Sequence, residues 1–200
     1  AVYLRELLNF SPSNILSMSW YERARAYADG EVGMAYCATL LAPMFELNPE
    51  SPAHGVTEYL PHPAGSNAKP VAPLGGYALA IPANISPDRI GPIWTALASL
   101  SSAQAIKLYI ENGSLVSPRF SVSMDPEVSK ISPVISKVDE MARFGVLQMW
   151  PRPPVPEISD IIAIVGEEMH DMLVGAKTID AALANSQNRA DALMRSRGHY

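Results

Sequence analysis

A single cysteine, Cys37, serves all 200 residues, so the chain forms no internal disulfide and offers no multi-cysteine metal site. Its apolar neighbours mark it as a small core side chain rather than a nucleophile. Charge is sparse too. Only 18% of residues are Asp, Glu, Lys or Arg, and they sum to −5, a balance that repels nucleic-acid phosphates and gives no reason to expect a nucleic-acid partner. Long apolar runs are missing: the uncharged stretches 71–87 and 90–106 fall short of the ~20 residues a membrane helix needs and carry Pro, Gly and Ser. The opening segment, Ala1 to Leu8, has neither a basic n-region nor a cleavage site and reads as a helix.

The motifs of common catalysis are absent as well. The sequence contains no Gly-x-Gly-x-x-Gly, no Gly-x-Ser-x-Gly, no His-Glu-x-x-His and no calcium loop. Gly175-Ala176-Lys177-Thr178 imitates the end of a phosphate loop, but Lys177 does not follow the glycine, and a helix stop plus N-cap explains all four residues. Glu167 and His170 share the i, i+3 spacing of a metal pair without the further ligands such sites need, so a solvated helix face is the simpler reading and no metal or other cofactor is expected. His54, His62 and His199 have no partner by spacing, and Arg189, Arg195 and Arg197 read as a basic helix end favoured by the macrodipole.

What the chain does have is proline, 18 residues in all, ten of them between Pro43 and Pro92 and four more at Pro151, Pro153, Pro154 and Pro156. Proline fixes φ and removes a donor, so these stretches are extended crossings between better-formed elements. With 48% apolar residues, a chain of this length has room for one complete domain. Helices are predicted over 2–10, from the capping box Ser19–Glu22 to Gly30, from Ser86-Pro87 through Leu100, from Ser102 to Gly113, from Ser132-Pro133 to about Phe144, from Ile158 to Gly175, and from Thr178 onward. The helix after Ser86 is expected to bury Ile90, Ile93, Trp94, Leu97 and Leu100, and Trp20 and Trp94 to be core. Strands are predicted at Val32–Tyr36, Val56–Leu60 and Leu74–Pro82. The fold class is therefore helix-rich α/β with three or four short strands.

The order of these elements resembles a known family. Asp29-Gly30-Glu31-Val32-Gly33-Met34-Ala35 is similar to the "G-x-x-A-M" segment of family 1 extracellular solute-binding proteins, the sugar-capturing components of ABC importers, of maltodextrin-binding type. Val56-Thr57-Glu58-Tyr59-Leu60-Pro61, Pro73 to Ile81 through Gly75-Gly76, Ser99 to Gln104, and Ser117-Pro118-Arg119 follow in that family's order. Val174 to Leu183 resembles its closing "G-x-x-S-x-E-x-A-L" signature. Departures stand at Gly33, where the family has alanine, and at Thr39-Leu40-Leu41, where many relatives have a tryptophan.

The resemblance implies the C-terminal half of a two-lobed, type II periplasmic-binding-protein-like fold. Residues 1–73 and 130–200 would form the C-terminal lobe and 74–129 a crossing segment of the N-terminal lobe, most of which is absent. It implies a non-enzymatic, extracytoplasmic receptor that captures a sugar or other polar solute by hinge closure and delivers it to ABC permease subunits. By family position the cleft residues would be Tyr36, Gly75, Gly76, Tyr77, Arg119 and Trp150. The glycines either admit the ligand to the backbone or only allow a bend; Arg119 either forks two hydroxyls or pairs within the fold; Trp150 either stacks on a sugar or is structural. Two other classes stay open, a small α/β enzyme without a recognised motif and a helical interaction domain. As a half-receptor, the chain would bind solute weakly and would self-associate through apolar faces of 74–129, including Ile93, Leu97, Ile106 and Tyr109.

Overall fold

The computed structural model describes every residue except Tyr77, Trp150 and Pro151. Ten α-helices occur among the described residues: α1 (Val2–Leu7), α2 (Trp20–Ala28), α3 (Pro43–Glu46), α4 (Pro87–Leu100), α5 (Ala103–Glu111), α6 (Phe120–Ser123), α7 (Pro126–Ser129), α8 (Pro133–Arg143), α9 (Ile158–Leu173) and α10 (Ile179–Ser196). Two short strands, β1 (Ala72–Pro73) and β2 (Leu147–Gln148), and three 3-10 turns at Leu8–Phe10, Ile15–Ser17 and Thr39–Leu41 complete the described elements. The chain divides into two units, one made of Ala1–Ser19 with Pro151–Tyr200 and the other of Trp20–Trp150.

Local chemistry sets the helix ends. The Ser102 hydroxyl accepts from the Ala105 N–H at 3.1 Å, and Thr178 accepts from Ala181 at 3.2 Å. Ser132 accepts from Val134 at 3.3 Å. Each satisfies one of the N–H groups that a helix start leaves without a partner. Ser86 precedes Pro87 at the N1 position of α4 as predicted, but its side chain makes no cap bond. After α2 the chain leaves through Gly30 at φ +76°, where an added Cβ would meet Pro52 at 3.1 Å.

In the Trp20–Trp150 unit, Phe45 from α3 and Ala28 and Ala42 pack with Ile106 and Ile110 of α5. Leu115, Val122, Val128, Val134 and Ile135 complete this core. Tyr27 meets Phe45 edge to face, ring centroids 5.1 Å apart. The core thus draws on both sides of residues 73 and 129. At its margin the Tyr59 hydroxyl donates to the buried Glu46 carboxylate; burial first, and that bond second, push the phenol well above its ordinary value.

β1 and β2 pair in parallel, Ala72 opposite Leu147 and Pro73 opposite Gln148. Ala72 N–H donates to Val146 at 2.9 Å and Leu74 N–H to Gln148 at 2.8 Å. Alternate residues donate to one neighbour in a parallel ladder, so Pro73, which has no N–H, falls where none is needed.

The three longer strands do not form among the described residues. Residues 32–36, 56–60 and the described part of 74–82 are extended or turned, without a strand ladder. A strand needs a partner for its N–H and C=O rows, and Met34 at 88% exposure, Val56 and Leu79 present their apolar side chains to solvent instead. The burial expected of α4 is also corrected. None of its residues is buried: Ile90 and Leu100 are exposed, Ile93 and Leu97 are half-buried, and Trp94 is 66% exposed. Trp20 is exposed too, and Ile106, expected to be bare, lies in the core. The 3.6-residue period creates an apolar stripe on α4 without supplying anything to cover it.

The Ala1–Ser19 and Pro151–Tyr200 unit is built on α9 and α10, joined through Gly175 at φ +80°. Met172, Ala182 and Ser186 are buried in it. Glu168 of α9, with 3% of its side chain exposed, accepts from Lys177 at 2.6 Å, Arg189 at 2.8 Å and Asn185 at 3.3 Å. Arg189 also holds Glu167 at 2.6 Å, and Lys177 holds Asp171 at 3.0 Å. The bonds from Lys177, then Arg189, draw the Glu168 carboxyl down to about 2. The arginine read as part of a frayed basic end therefore ties α10 to α9. His199, expected to lack a partner, lies 3.0 Å from Glu157.

Candidate functional site

The geometry that gathers the expected site residues centres on β1. Immediately before it, His62 N–H donates to the Val71 carbonyl at 2.9 Å in an antiparallel bridge. The His62 ring lies 4.5 Å from the Tyr36 ring, tilted by 59°. Tyr36, 60% exposed, therefore stands beside the segment that feeds β1. Arg23, half-buried on α2, places its guanidinium carbon 5.7 Å from the Tyr36 ring centroid. Burial pushes the adjacent Cys37 thiol up, and Arg23 offsets part of that rise. Burial makes the thiol harder to ionise, but Cys37 is half-buried and stands outside the core expected for it.

Gly75 and Gly76 follow β1 directly, both exposed, with no atom of the described residues within 4 Å of where a Cβ would sit and neither at positive φ. Nothing in the backbone demands glycine there for a left-handed turn. They follow the Leu74 N–H to Gln148 carbonyl bond with which the described ladder ends. Tyr77 and Trp150, the other two aromatic candidates, lie outside the described residues.

Arg119 is elsewhere. Its Nε donates to the Ser101 carbonyl at 2.6 Å, tying the residue before α6 to the link between α4 and α5. The structure thus brings Tyr36 to the segment that leads through β1 to Gly75 and Gly76, and gives Arg119 a partner within the fold. Arg23 and His62, which sequence spacing did not single out, join Tyr36 instead. No local pattern announces either, because residues 23, 36 and 62 meet only through the tertiary fold.

Among the described residues no cluster of three or more His, Cys, Asp or Glu side chains has the arrangement of a metal site, and no helix is long and apolar enough to cross a membrane. Two solvent-open depressions, of about 360 and 320 Å³, are lined by Val2, Arg5, Glu6, Asn9 and Ile179, and by residues around Gly30 and Pro52; neither includes a predicted site residue.

No family model matches the chain, and no curated protein matches it. Among solved structures, maltose-bound T. maritima MalE3 superposes with a TM-score of 0.80 at 20% identity, covering 96% of this chain and 49% of that one. An ABC transporter solute-binding protein from Agrobacterium radiobacter K84, in complex with ribitol, superposes with a TM-score of 0.79 at 26% identity, covering 96% and 48%. The chain spans about half the length of each of these structures, and over that span it has the helix-rich α/β fold of periplasmic solute-binding proteins.

Proposed function

We propose that the protein captures a sugar or polyol as the binding component of an ABC importer, without chemistry. The observation that carries this reading is the superposition of 96% of the chain on two solute-binding structures, one holding maltose and the other ribitol. Paired β1 and β2 support it in mechanical terms. Two parallel segments joined by two backbone bonds bend together, as closure over a solute requires. Tyr36 offers the ring face that stacks on the C–H surface of a pyranose, and Gly75 and Gly76, which carry no side chain, let a ligand reach the main chain. Arg119 donates its Nε–H to the Ser101 carbonyl, so its terminal N–H groups are the part of the guanidinium that a solute hydroxyl would meet. On this reading the protein works outside the cytoplasm and hands its solute to permease subunits in the membrane.

Thermal unfolding against a panel of maltose, larger maltodextrins, ribitol, glucitol and hexoses tests the proposal. Ligand at one hundred times its Kd stabilises the folded state by about 2.7 kcal/mol, or about 5–11 °C for a chain of this size. Absence of any shift with millimolar sugars and polyols overturns the substrate class. Turnover of any of them overturns the non-enzymatic reading.

A further inference from the structure

We propose that Arg23, with Tyr36 and His62, forms a subsite for a carboxylate on the captured solute, so that the preferred ligand is a sugar acid rather than a neutral sugar or polyol; this rests on the solute-binding reading above.

The case begins on α2. Arg23 has Ser19, Trp20, Ala26 and Tyr27 at the i±3 and i±4 positions, the only places on a helix from which an acid could pair with it locally. Arg25, two residues on, has Asp29 at i+4 and takes it, at 3.4 Å. No other element supplies an acid either. Lys107, Lys130, Lys137, Arg143, Lys177 and Arg189 each hold a carboxylate within 4.0 Å, whereas among the described residues none lies within that distance of Arg23. Arg5, Lys69, Arg89, Arg119, Arg152, Arg195 and Arg197 also hold no carboxylate among the described residues, but all of these are exposed, whereas Arg23 is half-buried.

The surroundings set this cation beside two rings. Arg23 faces the Tyr36 ring at 5.7 Å, and that ring is held against His62 at 4.5 Å. A guanidinium over a ring face leaves its in-plane N–H groups for another acceptor. A carboxylate takes two of them in a fork, a geometry a neutral hydroxyl does not match. The 60% exposed Tyr36 ring beside it gives the carbon skeleton of the same solute an apolar face.

Calorimetric titration of the protein with three matched pairs tests this: gluconate against glucitol, glucuronate against glucose, and galacturonate against galactose. The expected result is at least one acid bound ten-fold or more tighter than its neutral counterpart. Arg23→Gln is expected to bring that ratio to about three or less, and Arg23→Lys to retain part of it. If Arg23→Gln does not fold by circular dichroism, the Arg23→Lys ratio decides. Neutral solutes binding as tightly as their acids, or an acid preference that survives Arg23→Gln, overturns the subsite and leaves the importer reading standing. Binding of neither acids nor neutral sugars overturns both.

Discussion

Replacing Phe45 with alanine probes the core that joins α3 to α5. The side chain is 2% exposed and meets Tyr27 edge to face at 5.1 Å. Burying a phenylalanine contributes about 1.5–3 kcal/mol, and an edge-to-face ring pair adds about 0.5–1.5 kcal/mol. Ile110 and Leu115, at 0% and 1% exposure in the same cluster, cannot collapse far into the space left behind, so a cavity term follows. The expected loss is about 3–5 kcal/mol, about a fifth or more of the ~5–15 kcal/mol that holds most domains together. For a chain of this length it lowers the Tm by about 6–20 °C. Urea titration followed by far-UV circular dichroism measures the loss. Phe144→Ala, in the same unit but 75% exposed, is the control and should stay within about 0.5 kcal/mol of the parent. A Phe45→Ala protein as stable as that control would refute the packing of α3 on α5.

Two further outcomes test other parts of the molecule. Glu168 has its carboxyl drawn from 4.5 down to about 2 by Lys177 and then Arg189. The folded value lies below the unfolded one, so its stabilisation is fully present above about 4.5 and is lost as the pH falls toward 2. Acid titration of the Tm should accordingly be shallower in Glu168→Gln than in the parent over that window, and identical curves would count against the network. At Gly30, alanine should cost about 1–2 kcal/mol because φ +76° disfavours a Cβ and Pro52 crowds it at 3.1 Å. Gly75→Ala, with no described residue in the way and no left-handed φ, should leave chemical stability near the parent; equal losses at the two sites would contradict the backbone described for them.

The helices were legible because their ends are written locally. Ser102, Ser132 and Thr178 supply cap oxygens, and Gly30, Gly113 and Gly175 supply the left-handed exits, each at positive φ. Strands have no such local signature. Val32–Tyr36 and Val56–Leu60 alternate or cluster as strands do, yet whether a ladder forms depends on a neighbour that the segment does not encode. The stripe on α4 shows the same asymmetry, since periodicity says which side chains share a face and is silent on what meets it. Of the site, Tyr36 and the two glycines were read from their resemblance to a family pattern. Arg23 and His62 could not be, because the distances from residue 23 to 36 and from 36 to 62 carry no recognisable period. Nor could spacing reveal that Arg189 of α10 reaches back to Glu168 of α9.

The ladder between β1 and β2 also bears on how the chain folds. Its two hydrogen bonds join residue 72 to 146 and residue 74 to 148, so closing it gathers the whole intervening segment into a loop for very few bonds. Loop-closure entropy opposes such a step until the segment's own helices have shortened the distance. Non-local pairing of this kind is slow to form. The ladder is thus a late event in folding, and its amides at Ala72 and Leu74 should be among the first in the Trp20–Trp150 unit to exchange with solvent, through partial opening that leaves the Phe45–Ile110 core intact.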